Sequence, residues 1–181
     1  MSQVFVSGHK SPDTDSIAAA LSYSYLKRRL GMDAVAVRAG EINKESRFAL
    51  DYFNLEEPML VTSVARKNPE DEKQKVILVD HNESKQTIDG MDDAEVLEII
   101  DHHRFGDFES ENPIFILVRP VGCVNTVIYG LYKANHIKPS REIAGIMLSA
   151  IISDTVLFRS PTTTEEDKET AKELAEIAGV D

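Results

Sequence analysis

Val76-Ile77-Leu78-Val79 is an uninterrupted apolar run that stops on Asp80-His81. A strand with one wet face alternates apolar and polar residues. A run that is apolar throughout is buried on both faces, which happens in sheets covered on each side by other elements. Val96 to Ile100, apolar but for Glu98, reads as another such strand, ending at Asp101, and Val4-Phe5-Val6 leads directly into Gly8-His9. Ala34 to Ala39 and Ile114 to Val118 read as two more strands, with a short one near Leu60-Val61. Between them and after them apolar residues recur at helical spacing. Ser16 to Leu30 carries Ile17, Leu21, Tyr25 and Leu26, with Gly31 as its stop. Asn43 to Phe53 has Asn43 as a candidate cap, and Val124 to Asn135 and Glu142 to Ile152 follow. Thr164 to Ala178 opens on a capping-box pattern, Thr164 with Asp167, and ends at Gly179. Strands alternating with helices predict an α/β fold: a mainly parallel, Rossmann-like sheet with helices on both faces. Ala65 to Lys75 is polar and charged and reads as an exposed connection.

The 181 residues suffice for one well-cored domain. No apolar run approaches the roughly 18–20 residues that span a bilayer, and Met1 to Gly8 does not read as a signal peptide. A single cysteine, Cys123, excludes an internal disulfide and fits a reducing compartment, so the cytoplasm is expected. There are 31 acidic against 20 basic residues, a net charge of −11. That excess disfavours a surface built to wrap nucleic acid. It would also repel any other polyanion, unless bound cations invert the local field.

Four clusters of acidic or histidine residues close predicted elements. His9, Asp13 and Asp15 follow the first strand; Asp80-His81 closes the Val76–Val79 strand; Asp101-His102-His103 closes the next; Ser153-Asp154-Thr155 closes the apolar helix around Ile146 to Ile152. The carboxyl ends of strands are where open α/β sheets bind ligands. An Asp at a strand end is more often a turn former, but three strands delivering Asp or His to one edge is a pattern that turns do not require. Gathered and buried, His9, Asp13, Asp15, Asp80, His102 and Asp154 would repel one another strongly unless divalent cations were held among them. Lys10 and Arg104 are the only close basic neighbours. Oxygen and imidazole donors without thiolate suit Mn²⁺, Co²⁺ or Zn²⁺. Six ligands suit two ions sharing a carboxylate, an arrangement that hydrolyses phosphoanhydrides or phosphodiesters. His103 would then contact the transferred phosphate or protonate the leaving group. His81, His136 and Cys123 are read as structural: a strand-end residue, a helix-end residue and a small core residue.

GHKSPDTDSIAAAL, VILVDHNE, IIDHHR, PVGCVNTVIY and AGIMLSAIISDT, in this order, resemble the DHH phosphoesterase superfamily. Within it they are most similar to the manganese-dependent family II inorganic pyrophosphatases. The resemblance implies one metal held by His9, Asp13 and Asp80 and a second by Asp15, Asp80, His102 and Asp154, with Asp80 bridging. His103 would reach the substrate phosphate and Asp101 would orient a histidine. The implied ions are two Mn²⁺ or Co²⁺, with Mg²⁺ accompanying pyrophosphate. The resemblance also implies a homodimer paired edge to edge through a strand, and a C-terminal substrate-binding domain. Residues 1–181 are expected to be the metal-binding domain alone, weakly active by itself. Alternatives are another DHH phosphoesterase (an exopolyphosphatase, or an oligonucleotide or cyclic-dinucleotide phosphodiesterase) or a non-catalytic metal-binding dimerisation module.

Overall fold

The computed structural model describes residues 3–180. The elements run β1 (Val4–Ser7), α1 (Thr14–Arg29), β2 (Ala34–Arg38), α2 (Lys44–Tyr52), β3 (Met59–Leu60) and β4 (Lys75–Val79). They continue as β5 (Glu95–Asp101), β6 (Phe115–Val118), α3 (Val124–Ala134), α4 (Arg141–Asp154) and α5 (Glu165–Ala178). All strand pairs are parallel, in the order β3-β2-β1-β4-β5-β6. This is the doubly wound strand order, and it reverses direction between β1 and β4.

Strand alternation divides the core in two. Val4, Val6, Ile77, Val79 and Ile100 pack with the α-helices. Val76, Leu78 and Ile99 form a second cluster with Val37, Val64 and Ile88 on the opposite face. A register shift in β4–β5 at Val76/Ile77 lets Glu98 face the helical side, where Tyr23 Oη and Lys27 Nζ each donate to it at 2.6 Å.

Helices were expected on both faces; the α-helices occupy one. Right-handed crossovers explain why. The steps β1→β2→β3 move one way along the sheet, placing α1 and α2 on one side. The steps β3→β4, β4→β5 and β5→β6 move the other way and must cross on the opposite side. Those connections lack helical apolar spacing and settle as loops with two 3₁₀ turns, Ser84–Gln86 and Met91–Asp93. Helices α3 to α5 come after the last strand and return to the α1 face. No helix among the described residues is long and apolar enough to cross a membrane.

Two helix ends matter for the site. α1 starts two residues earlier than its apolar spacing suggests, because Asp13 caps it: the Ser16 N–H donates to Asp13 Oδ1 at 2.9 Å. α4 ends on Asp154, and Val156, Leu157 and Phe158 then adopt φ of 50°, 53° and 63°. A left-handed turn of three non-glycine residues costs about 1–2 kcal/mol per residue. It stops the helix with Asp154 at its last position. The capping box of α5 has a further role. Asp167 is fully buried and accepts from Thr164 N and Oγ1, Gly122 N and Thr126 Oγ1 at 2.6–2.9 Å, fixing the segment that enters α3.

Candidate metal centre

The reversal point between β1 and β4 opens a crevice at the carboxyl edge of the sheet, and Asp80 stands in it. Its backbone is left-handed, φ 63°, a conformation Asp tolerates better than most residues. Its N–H still donates to Ile100 O at 2.9 Å, so the residue is pinned to β5. The side chain is 2% exposed, and neither carboxylate oxygen has a hydrogen-bond partner. Each oxygen faces a different histidine: Oδ2 lies 3.4 Å from His9 Nε2 and Oδ1 lies 3.3 Å from His102 Nε2.

The remaining residues group around these two imidazoles. His9 Nε2 is 3.8 Å from Asp13 Oδ2. The His9 backbone N–H donates to Ser16 Oγ at 2.9 Å, an approach that needs a glycine beforehand: a Cβ on Gly8 would sit 1.9 Å from that oxygen. His102 Nε2 is 3.6 Å from both Asp15 Oδ2 and Asp154 Oδ2. Its Nδ1 donates to Val121 O at 3.0 Å, which aims Nε2 at the carboxylates. All six residues expected to be ligands therefore meet in one place. His9, Asp13 and Asp80 form one compact donor set, and Asp15, Asp80 and Asp154 surround His102 Nε2 as a second. His103 sits beside them with its ring half-exposed, and its Nδ1 bonds Asp101 Oδ1 at 2.9 Å. Asp101 also accepts from Asn82 Nδ2 at 2.6 Å.

Some contributors carried no sequence signal of their own. Asp15 accepts from Cys123 Sγ at 2.9 Å, Val124 N at 2.9 Å and Asn125 Nδ2 at 2.7 Å. Cys123, read as core filler, is buried but also holds a carboxylate of the site. Burial beside Asp15 pushes its thiol up, so it serves as an S–H donor. His81 is buried, with Nδ1 on Val79 O and Nε2 unpartnered, and burial keeps it neutral. His136 takes φ 54° just after α3.

Residues 3–151 match the DHH family, N-terminal domain. The chain belongs to the DHH family. Over its whole length this DHH chain is 53% identical to a protein of Exiguobacterium sp. and 55% identical to one of Bacillus licheniformis, both described as probable manganese-dependent inorganic pyrophosphatases. It spans 57% of the length of each. A Methanococcus jannaschii crystal structure described as a candidate family II inorganic pyrophosphatase superposes with a TM-score of 0.88 at 43% identity. That match covers 98% of this chain and 57% of the other. An exopolyphosphatase-related protein of Bacteroides fragilis shares the fold, with a TM-score of 0.71 at 20% identity over 99% of this chain and 53% of that one.

The donor set of the DHH chain fits divalent cations. A buried carboxylate with both oxygens unpartnered, opposite an unpartnered His102 Nε2, would carry a desolvation cost of several kcal/mol that a cation removes. Without a cation, protons do the neutralising. Burial would lower the His9 and His102 imidazoles, but the carboxylates beside them, Asp13 and Asp80 at His9 and Asp80 and Asp15 at His102, hold both up at about 10. Burial and the neighbouring Asp15 raise Asp154 to about 9, and burial with Asp80 raises Asp15. Burial opposes ionisation of Asp80, yet His102 and His9 outweigh it and bring it to about 2.

The sign for stability follows by linkage. A histidine raised from 6.5 to about 10 stabilises the fold fully below 6.5 and loses that contribution as pH rises through about 10. A carboxyl raised from 3.8 to about 9 is protonated only in the fold, so its contribution also fades as pH climbs through that range. With chelator present, the melting temperature is expected to fall between about pH 7 and pH 9. Added Mn²⁺ should offset the fall, because it takes the place of those protons. A flat or rising chelator curve in calorimetry would contradict this electrostatic description.

Proposed function

We propose that residues 1–181 are the metal-holding domain of a two-metal inorganic pyrophosphatase. One Mn²⁺ would be held by His9, Asp13 and Asp80, and the other by Asp15, Asp80, His102 and Asp154; Co²⁺ can substitute, and Mg²⁺ enters with the substrate. The observation that carries this reading is Asp80, whose two buried, unpartnered oxygens each face a different histidine. Bound there, the ions would acidify an attacking water and neutralise the phosphoryl oxygens.

The chain's own residues supply the rest. Asp101 engages His103 Nδ1, leaving Nε2 of a half-exposed ring for the phosphate. The hydrogen bond that His103 donates to Asp101 also raises the basicity of His103, which favours the doubly protonated form that can donate to a phosphate oxygen or a leaving group. The basic residues that neighbour His9 and His103 in sequence are engaged: Lys10 with Asp89 at 2.5 Å and Arg104 with Glu83 at 2.8 Å. The grip on the pyrophosphate anion is therefore assigned to residues outside this stretch. That is consistent with relatives longer than the shared region. The net charge of −11 disfavours the phosphodiesterase readings that need a polynucleotide. The buried, reduced Cys123 thiol fits a cytoplasmic location.

With Mn²⁺, the 181-residue chain should release phosphate from pyrophosphate slowly, in a reaction abolished by chelator. Oligonucleotides and cyclic dinucleotides should stay intact. His103→Gln should cut turnover by about 10²-fold while leaving Mn²⁺ binding nearly unchanged. Chelator-insensitive hydrolysis, or a preference for phosphodiesters, would refute the reading. Turnover as fast as that of a full-length relative assayed alongside would refute the assignment of anion binding elsewhere.

A homodimer is proposed through β6. This strand ends the sheet, and Phe115 and Ile116 on it are 50% and 43% exposed, the kind of open edge that pairs with another strand. Sedimentation at micromolar concentration should show a dimer that Ile116→Lys weakens. A monomer throughout would rule it out.

A further inference from the structure

The two carboxylates facing His102 from the helices, Asp15 and Asp154, come from opposite ends of different elements. Asp15 lies in the first turn of α1 and Asp154 is the last residue of α4. Three donors tie Asp15. Asp154 meets the Asp15 carboxyl itself, and among the described residues no other neutral donor holds it, so its reach toward His102 depends on the backbone at the end of α4. The side chain just before it, Ser153, donates to Glu45 Oε1 at 2.5 Å. The side chain just before Asp15, Thr14, donates to the same oxygen at 2.6 Å. Glu45 stands in the first turn of α2. Asn43 Oδ1 caps that helix by accepting from Ser46 N at 2.7 Å, and Ser46 Oγ lies 3.2 Å from Thr14 Oγ1.

One carboxylate oxygen on a third element therefore joins the residues next to both carboxylates. We propose that Glu45 is a positioning residue that fixes the separation of Asp15 and Asp154 and so sets the affinity of the cation they would share with His102. The His9–Asp13–Asp80 set lies outside this clamp, because Asp13 is held by Ser16 N and Asp80 by its place at the end of β4. The inference rests on reading Asp15, Asp80, His102 and Asp154 as ligands. Two effects of Glu45 can be separated: its hydrogen bonds hold the geometry, whereas its charge only adds to the local field. Glutamine keeps the accepting oxygen and loses the charge.

The test is calorimetric titration of Mn²⁺ into the chain, with melting curves in chelator to check that each variant folds. Glu45→Ala is expected to weaken one of the two binding steps by about tenfold or more and to leave the other within about threefold. Glu45→Gln should restore most of the loss. In an Asp154→Ala background, where no second side chain is left to space from Asp15, adding Glu45→Ala should weaken Mn²⁺ binding little further. Ser153→Ala cuts only the α4 arm and should weaken the same step, which keeps the test valid if Glu45→Ala folds poorly. Equal weakening of both steps, no weakening, or a glutamine variant as weak as alanine would overturn the proposal. Failure of the unmodified chain to bind Mn²⁺ would instead remove the ligand reading beneath it.

Discussion

A carboxylate shut away from water with no partner for either oxygen is among the costliest arrangements a protein can keep, and Asp80 is in that state at the reversal point of the sheet. The rest of the centre is arranged around it. His9 and His102 approach its two oxygens from the ends of β1 and β5, the strands on either side of β4. Asp13, Asp15 and Asp154 then crowd those imidazoles, adding negative charge where charge is already hard to hold. Protons relieve this in part, as the raised basicity of both histidines and Asp154 records. Divalent cations would relieve it better, turning repulsion among the carboxylates into a shared ligand field.

The topology makes the convergence possible. Strands β1, β4 and β5 are neighbours in the sheet, although α1, β2, α2 and β3 separate β1 from β4 in the chain. Their carboxyl ends therefore deliver three clusters to one edge, and α4, packed on α1 within the main core, brings the fourth. Positioning is then passed through neutral groups. Asp167 fixes Gly122 and Thr126; the segment between them offers Cys123, Val124 and Asn125 to Asp15; the Val121 carbonyl turns His102. Asp15 is thus aimed by three donors that carry no charge.

Much of this was legible in the sequence, for physical reasons. Apolar runs such as Val76–Val79 mark buried strands, and a polar cluster at the end of such a run can only sit at the sheet edge. That is why His9, Asp80 and His102 could be placed together before any coordinates. Helix covering was less legible. The faces used depend on the direction of each crossover, and strand order is not written in local patterns. The supporting partners were hidden for a different reason. Cys123, Asn125 and Glu45 are distant in sequence from what they hold and unremarkable in type, so no spacing or periodicity points to them. Asp13 was legible as a candidate ligand but not as the cap of α1.

Diffraction from a crystal of the chain soaked in Mn²⁺, collected at the manganese absorption edge, addresses the central claim most directly. Two anomalous peaks are predicted, one among His9, Asp13 and Asp80 and one among Asp15, Asp80, His102 and Asp154, with Asp80 touching both. A single peak, peaks elsewhere, or none at saturating Mn²⁺ would contradict the account of Asp80 as the shared ligand of a two-metal centre.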